Sequence, residues 1–331
     1  MTRPVPLALG VALALTLLGA SRAQLPDPVA PVREAGEMAQ DWMPFFAPPI
    51  QPPGFAAPGL SAAVVRADEG EVRRLLDEGA DPNVSGGDSD PPLILAVRQG
   101  NIAIARVLLD RGADPNAPAG GSRDPALHLA VRARDPAMVA LLLERGAAVN
   151  AASPREDRLR PERMGDTALH EAAALGETVI CEALIAAGAN PSVANRTGLT
   201  PLHHAAGAGH VATATSLLDH GAEIDRQSRI GATPLHWGVR YGQIGTVRLL
   251  ADRGATVKAT SRHGSTPLHS AVARRQPEMV EELLAHGADP SAVGINGETP
   301  LALARRLGDP LLVRILETAV AERGAVPAAP R

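Results

Sequence analysis

The sequence predicts an all-α solenoid in which short pairs of helices stack side by side. The first observation is a period of 33 residues, at which the tetrapeptide Thr-Pro-Leu-His recurs. The second is a Gly-Ala dipeptide after each copy, where a helix would end. The third is composition, because hydrophobic residues make up 45% of the chain and aromatic residues only 2%. Such a core suits thin, closely packed helices better than a wide globular domain.

The repeat is read most clearly at residues 200–203, 233–236 and 266–269, with degenerate copies at 167–170 and 299–302. Its leucine recurs every 33 residues and continues upstream, with gaps of 42 and 34 residues, to Leu127 and Leu93. The positions at that interval are Leu169, Leu202, Leu235, Leu268 and Leu301.

The residues of one unit predict two helices. Thr233 can cap a helix N-terminus, and Pro234 suits the first helical turn. A second helix follows and ends at Gly254, which can take the left-handed conformation of a helix C-terminus. One pair buries too little apolar surface alone, so neighbouring pairs must stack. We expect residues 61–82 to form an N-terminal half-unit and residues 311–323 a polar cap.

This pattern resembles the ankyrin repeat, which has the same period and a T-P-L-H-x-A signature. The resemblance covers about residues 59–322, with seven to eight repeats, and implies an ankyrin-repeat solenoid with projecting turns. It also implies that the repeated histidine bonds the backbone between adjacent turns. Partners would bind to the turn tips and to the exposed face of each first helix, which together line a concave groove.

One unit carries nine extra residues, an insertion at about residues 151–163. In an ankyrin array this junction forms the projecting turn, so the insertion predicts one longer finger on the binding side. The alternative is a tolerated surface insertion without function, since exposed turns accept extra length at little cost.

Residues 1–23 have the pattern of a secretory signal. Arg3 supplies a positive start, residues 7–18 are apolar, and Ser21 and Ala23 place small residues where a signal peptidase reads them. The apolar run is about a dozen residues, short of the ~20 that a membrane-spanning helix needs. We expect cleavage after Ala23, with an uncleaved membrane anchor as the alternative.

The segments that flank the repeats have different compositions. Residues 24–58 are rich in Pro and Ala, which predicts a disordered tether. Residues 42–46 (Trp-Met-Pro-Phe-Phe) are too apolar for a mere spacer, and their role stays open between packing on the repeats and docking on a partner. Residues 323–331 are expected to be a disordered tail.

The residues give no support to catalysis or to a cofactor. The histidines His170, His203, His236 and His269 occur once per unit, and a spacing of about 10 Å between packed helices is too wide for shared metal ligation. We therefore expect a structural role for them and no metal. Cys181, the only cysteine, is expected to be a buried thiol. Phosphate-loop, nucleophile-elbow and zinc-protease motifs do not occur in the sequence.

A protein partner is the better-supported interpretation. Arginines recur in register at the predicted tips, and the middle of the groove (Ala174, Gly207, Ala208) is small and apolar. We expect a partner with an acidic rim and a protruding apolar element, and Tyr241, beside Arg240 and Trp237, as the energetic hot spot. The alternative is that these arginines only face water, because the chain uses arginine for nearly every cation. The predicted partner-binding residues are Arg163, Arg196, Arg229, Arg262, Arg240, Tyr241, Trp237 and Arg274.

The predicted function is therefore a non-catalytic protein–protein interaction scaffold, monomeric and exported, with the bacterial periplasm as the expected compartment. The absence of disulfides and the signal pattern favour that location. A net charge of −4 gives no electrostatic case for nucleic acid. Two alternatives stay open, a carrier of a metal or small ligand and a secreted effector-like module.

Overall fold

The computed structural model describes residues 59–84, 89–154, 161–294 and 297–324. The predicted signal peptide, the predicted tether, residues 155–160 of the insertion and residues 325–331 of the predicted tail lie outside the described residues. The prediction of a disordered tail from residue 323 is wrong at its start, because Arg323 and Gly324 belong to the last helix and Arg323 pairs with Asp289 at 2.9 Å.

The described residues form sixteen α-helices in eight consecutive pairs, and they contain two isolated β-bridges but no β-strand. The pairs are α1 (Gly59–Val65) and α2 (Glu69–Asp77), α3 (Pro92–Arg98) and α4 (Ile102–Asp110), α5 (Ala126–Arg132) and α6 (Pro136–Glu144), α7 (Ala168–Leu175) and α8 (Thr178–Ala186), α9 (Pro201–Ala208) and α10 (Val211–Asp219), α11 (Pro234–Arg240) and α12 (Ile244–Asp252), α13 (Pro267–Ala273) and α14 (Pro277–Ala285), and α15 (Pro300–Arg306) and α16 (Pro310–Gly324).

Each pair packs on the next in two layers. First helices contact first helices, as α7 with α9 and α9 with α11, and second helices contact second helices, as α8 with α10. The predicted helix starts and ends are confirmed. Thr233 is the N-cap of α11 with Pro234 in the first turn, and Gly254 beyond α12 has a φ of +88°.

The core is one continuous apolar seam between the two layers. Leu169, Leu202, Leu235 and Leu268 are fully buried, and small side chains such as Ala205 fill the space between them. The repeated leucine is therefore a buried anchor in these four units. Leu301 in the last unit is only partly buried, because no further pair follows it among the described residues.

The first unit differs from its prediction. The expected half-unit at residues 61–82 is a complete helix pair, α1 and α2. Glu69 and Glu71 lie in the first turn of α2, where carboxylates suit the positive end of a helix, and Asp68 caps it by accepting from the Glu71 amide at 3.0 Å.

The described ends of the insertion attach to the stack. The Ser153 amide donates to the Asp166 carbonyl at 2.7 Å, and residues Pro161–Arg163 form a 3₁₀ turn. The Glu162 carbonyl then accepts from the Asn195 side-chain amide at 2.7 Å and from the Thr197 hydroxyl at 3.0 Å. Both donors belong to the next unit, so the base of the insertion is bonded to its neighbour.

No helix in the described part of the chain has the length and the apolar character needed to cross a membrane.

The buried leucines give a direct test of the stacking. Leu202→Ala or Leu235→Ala should each lower the free energy of unfolding by about 2–5 kcal/mol, because each truncation leaves a cavity in a fully buried site. Urea denaturation followed by circular dichroism measures this. Leu311→Ala is the control, since that side chain is 43% exposed. A loss below about 1 kcal/mol at both buried sites would contradict the assigned core.

Candidate functional site

The turn tips between units are joined to one another by backbone hydrogen bonds. The Arg196 amide donates to the Met164 carbonyl at 3.0 Å, the Arg229 amide to the Thr197 carbonyl at 3.0 Å, and the Arg262 amide to the Ile230 carbonyl at 2.9 Å. Each tip therefore holds the next in the same register, and the arginine side chains repeat along one edge.

Two glycines permit this close approach. Gly198 and Gly231 have φ values of +80° and +73°. A Cβ atom at Gly198 would lie 2.7 Å from the Arg229 nitrogen, and one at Gly231 would lie 2.6 Å from the Arg262 nitrogen. Any larger residue would push adjacent tips apart, so these glycines fix where the tip arginines stand.

The four tip arginines are available to a partner. Arg196, Arg229 and Arg262 are exposed and Arg163 is half-buried. None of the four forms an ion pair with another described residue.

The predicted hot spot is a stack of three side chains at the end of α11. The rings of Trp237 and Tyr241 lie 5.5 Å apart with an interplanar angle of 36°, and the Arg240 guanidinium lies 5.9 Å from the Tyr241 ring centre. Tyr241 is 47% exposed. A Cβ atom at Gly207 would come within 3.1 Å of Tyr241 and 3.3 Å of Trp237, so the small residue at that position lets both rings lie against α9.

The predicted residues are divided between two clefts that share Trp237. The first, here called the arginine cleft, has a volume of about 400 Å³ and contains Arg240 and Arg274. The second, the aromatic cleft, has a volume of about 280 Å³ and contains Tyr241 and Arg163 over a floor of small residues. Arg196, Arg229 and Arg262 line neither of these two clefts.

The repeated histidines lie between the units. In each, Nδ1 accepts a hydrogen bond from the amide of the capping threonine, as from Thr233 to His236 at 3.2 Å. Nε2 therefore carries the proton and donates to a carbonyl of the next unit, from His203 to Ala232 at 3.0 Å and from His236 to Ser265 at 3.2 Å. The same bond runs from His170 to Leu199 and from His269 to Glu298.

Burial keeps the rings of His170 and His203 neutral. It lowers the pKa of His170 to about 4 and that of His203 to about 3, because a buried imidazolium would lose its hydration. The expected structural role is confirmed, since both ring nitrogens are already occupied by hydrogen bonds. No group of three or more His, Cys, Asp or Glu side chains suited to a metal ion occurs among the described residues.

Comparison with known families agrees with this geometry. A family model described as ankyrin repeats (3 copies) matches residues 60–153, 120–195, 169–261 and 226–294. The chain belongs to the ankyrin-repeat family. Ankyrin repeats are generally protein–protein interaction modules, and ankyrin-repeat proteins are typically non-catalytic scaffolds. A search of curated proteins finds no significant match.

Three arginines at the ends of the groove, on the exposed face of first helices, are each neutralised by a carboxylate of their own unit. Arg98 bonds to Asp90 at 2.7 Å, Arg132 to Asp124 at 2.8 Å, and Arg306 to Glu298 at 2.8 Å. On the groove face and tips, the arginines without an ion pair to a described residue are therefore those of the middle units and the tips.

Two residues of the site were missed from the sequence. Glu162 and His204 line the aromatic cleft beside Arg163. The buried His204 side chain faces Asp166, with 3.3 Å between Nε2 and Oδ1. The ankyrin signature alone gives no signal for them, because His204 occurs in one unit and Glu162 belongs to the insertion.

Cys181 is confirmed as a buried thiol. Its side chain is fully buried on α8, and burial raises its pKa to about 12. At neutral pH it therefore stays protonated and unreactive.

The neutral histidines predict acid sensitivity. Below about pH 6.5 the unfolded chain takes up a proton at each histidine, whereas the folded His170 and His203 stay neutral until about pH 4 and 3. Because the unfolded state then binds more protons, stability falls as pH falls from 6.5 towards 4. We expect a loss of about 1–2 kcal/mol for each of His170 and His203 between pH 7.5 and 5, measured by urea denaturation at both values.

The variant His203→Gln should show a smaller loss between the two pH values than the wild type. His286→Gln is the control, because the Glu282 carbonyl and the Asp252 carboxylate raise the pKa of His286 and give it the opposite pH dependence. An equal loss in His203→Gln and the wild type would show that this ring does not titrate as described.

Proposed function

We propose that this ankyrin-repeat protein is a non-catalytic scaffold of an extracytoplasmic compartment, and that it binds an acidic protein partner through its groove and turn tips. The main support is the charge state of the groove. Arg163, Arg196, Arg229, Arg262, Arg240 and Arg274 form no ion pair with any described residue, although the chain as a whole has more acidic than basic residues.

Most of the described arginines outside this set have a carboxylate within 4 Å. Arg66, Arg106, Arg123 and Arg314 have none among the described residues, so an unpaired arginine is not unique to the groove. The predicted set differs because none of its members forms an ion pair with a described residue. The ion-paired arginines are Arg73, Arg74, Arg98, Arg111, Arg132, Arg134, Arg145, Arg226, Arg248, Arg253, Arg275, Arg305, Arg306 and Arg323.

The aromatic pair is the second support. Trp237 and Tyr241 are the only non-histidine aromatic residues after residue 58. They lie together on the groove, and Tyr241 is about half exposed although it could bury a large apolar area. Tyrosine, tryptophan and arginine are the residues that carry most binding energy in protein interfaces, so their juxtaposition suits a hot spot.

The compartment is inferred from the N-terminal residues. The short apolar run at residues 7–18, followed by Ser21 and Ala23, supports export, and a chain with a single cysteine is compatible with the bacterial periplasm. On this proposal the mature protein begins at Gln24 and the partner is another exported protein.

A pull-down tests the proposal. The mature protein is immobilised and exposed to a periplasmic extract of the producing cell, beside a variant that carries Arg240→Ala and Tyr241→Ala. We expect one protein to be retained by the wild type and lost with the variant, because truncation of a hot-spot pair costs 2 kcal/mol or more, about 30-fold in affinity.

The matched control carries Arg253→Ala, since Arg253 is paired with Asp219 at 2.7 Å and is not one of the groove residues. Circular dichroism verifies that all three proteins are folded. Equal retention by the groove variant and the wild type would show that the binding site does not include the end of α11. Retention of no protein at all would contradict the scaffold proposal.

A further inference from the structure

Two positions of the ankyrin unit are coupled by charge. One lies five residues after the repeated leucine, on the groove face of the first helix, and the other lies three residues before that leucine. In three units these positions hold an arginine and a carboxylate, which form the ion pairs Arg98–Asp90, Arg132–Asp124 and Arg306–Glu298. The two residues are eight positions apart in each pair, so the unit itself builds the ion pair.

The unit of α11 has only half of this pair. Arg240 occupies the helix position, but Ala232 occupies the position of the carboxylate. The adjacent units hold Leu199 with Gly207 and Ser265 with Ala273, so neither has an arginine to neutralise. Arg240 is therefore the one arginine at this helix position whose unit supplies no acid.

The backbone around Ala232 matches that of an acidic unit. The Ala232 carbonyl accepts from the Ser228 amide at 2.9 Å and from His203 Nε2 at 3.0 Å. The Asp166 carbonyl likewise accepts from the Ser153 amide at 2.7 Å and from His128 Nε2 at 3.2 Å. The local fold thus accommodates a carboxylate at this position. Because Ala232 has none, the space beside Arg240 that a carboxylate fills in the other units is left unfilled by the unit itself.

That place is the arginine cleft. Ala232 and Ser265 both line it, with Arg240 and Arg274 as its unpaired cations and His263 beside them. Glu298 also lines the cleft, but its carboxylate bonds to Arg306 at 2.8 and 3.1 Å, and the pKa of Glu298 is lowered by that contact. The cleft therefore presents free positive charge at the α11 and α13 end and a neutralised pair at the α15 end.

We propose that the arginine cleft binds an acidic side chain of the partner, which takes the place of the carboxylate that Ala232 does not supply. This rests on the proposed function and deepens it, because it names the group recognised and where it binds. Arg240 is the direct ligand, since a guanidinium pairs with a carboxylate through two parallel hydrogen bonds. The Tyr241 ring holds the guanidinium beside the cleft, and Arg274 adds a second positive charge.

The test restores the missing acid. In the variant Ala232→Asp the carboxylate of the unit itself should occupy Arg240 and exclude the partner's, whereas Ala232→Asn has the same size without the charge. The probe is a fluorescein-labelled peptide, acetyl-Glu-Glu-Leu-Glu-Glu-amide, compared with its glutamine counterpart. Binding to the full mature protein is measured by fluorescence anisotropy at low salt, where charge pairing is least screened.

We expect the glutamate peptide to bind the wild type most tightly and to bind Ala232→Asp and Arg240→Ala about tenfold or more weakly, with Ala232→Asn between the wild type and Ala232→Asp because its side chain fills the place without the charge. Arg98→Ala, which removes an arginine already paired with Asp90, should bind as the wild type. The glutamine peptide should bind none of them appreciably.

Undiminished binding to Ala232→Asp, equal binding of the glutamine peptide, or no binding of the glutamate peptide to the wild type would each overturn the assignment. The last result can be told apart from failure of the scaffold proposal. If the pull-down still retains a partner that depends on Arg240 and Tyr241, the groove is the binding site. In that case only the proposal that it recognises an acidic side chain is wrong.

Discussion

The stack depends on a hydrogen bond that crosses from one unit to the next. A threonine caps the first helix, its amide bonds to Nδ1 of the histidine three residues later, and Nε2 of that ring donates to the carbonyl 29 residues further along, just before the next cap. The ring thus joins the start of one unit to the start of the following one. Because the site is buried, a polar group left there without a hydrogen bond would destabilise the fold. The hydrogen bond requires a neutral imidazole, and burial keeps the ring neutral.

Because this bond repeats, every other residue of the unit repeats in space. The tips are aligned by their own backbone bonds, and the faces of the first helices are aligned along the groove. Residues at one register position therefore occupy equivalent places in the backbone, and their side-chain contacts can be compared from unit to unit. The carboxylate and arginine positions show this well. The unit of Arg240 has no carboxylate to pair with it. The unit of Asp166 has the carboxylate but no arginine, because Ala174 occupies the helix position. Asp166 instead accepts from the Asn195 side-chain amide at 2.7 Å and faces His204.

Much of the fold could be predicted from the sequence, because the same residues that define the period also cap helices and fill the core. Thr233, Pro234, Leu235, His236 and Gly254 all do what their types and spacing indicate. The ion pairs of the groove were not predicted, although their eight-residue spacing is visible in the sequence. Because the chain uses arginine for nearly every cation, the sequence does not indicate which arginines are paired. The pairing depends on how the loop before the cap lies against the helix that follows.

Other features of the site could not be derived from the repeat at all. The turn of residues 161–163, with Glu162 beside the aromatic cleft, belongs to an insertion for which the other units offer no comparison. The rings of Trp237 and Tyr241 are brought together by Gly207 of the preceding unit, which is a packing relation between units and not a pattern within one.

Arg240 has no ion pair among the described residues only because its unit lacks the carboxylate that neutralises its counterparts. A double-mutant cycle of Ala232→Asp and Arg240→Ala, followed by urea denaturation, tests it most directly. Ala232→Asp should raise the free energy of unfolding more when Arg240 is present than when it is replaced by alanine, with a coupling of about 0.5–1 kcal/mol for a partly exposed pair. An effect of Ala232→Asp that is the same with and without Arg240 would contradict it, because the two positions would then not form the ion pair that the other units contain.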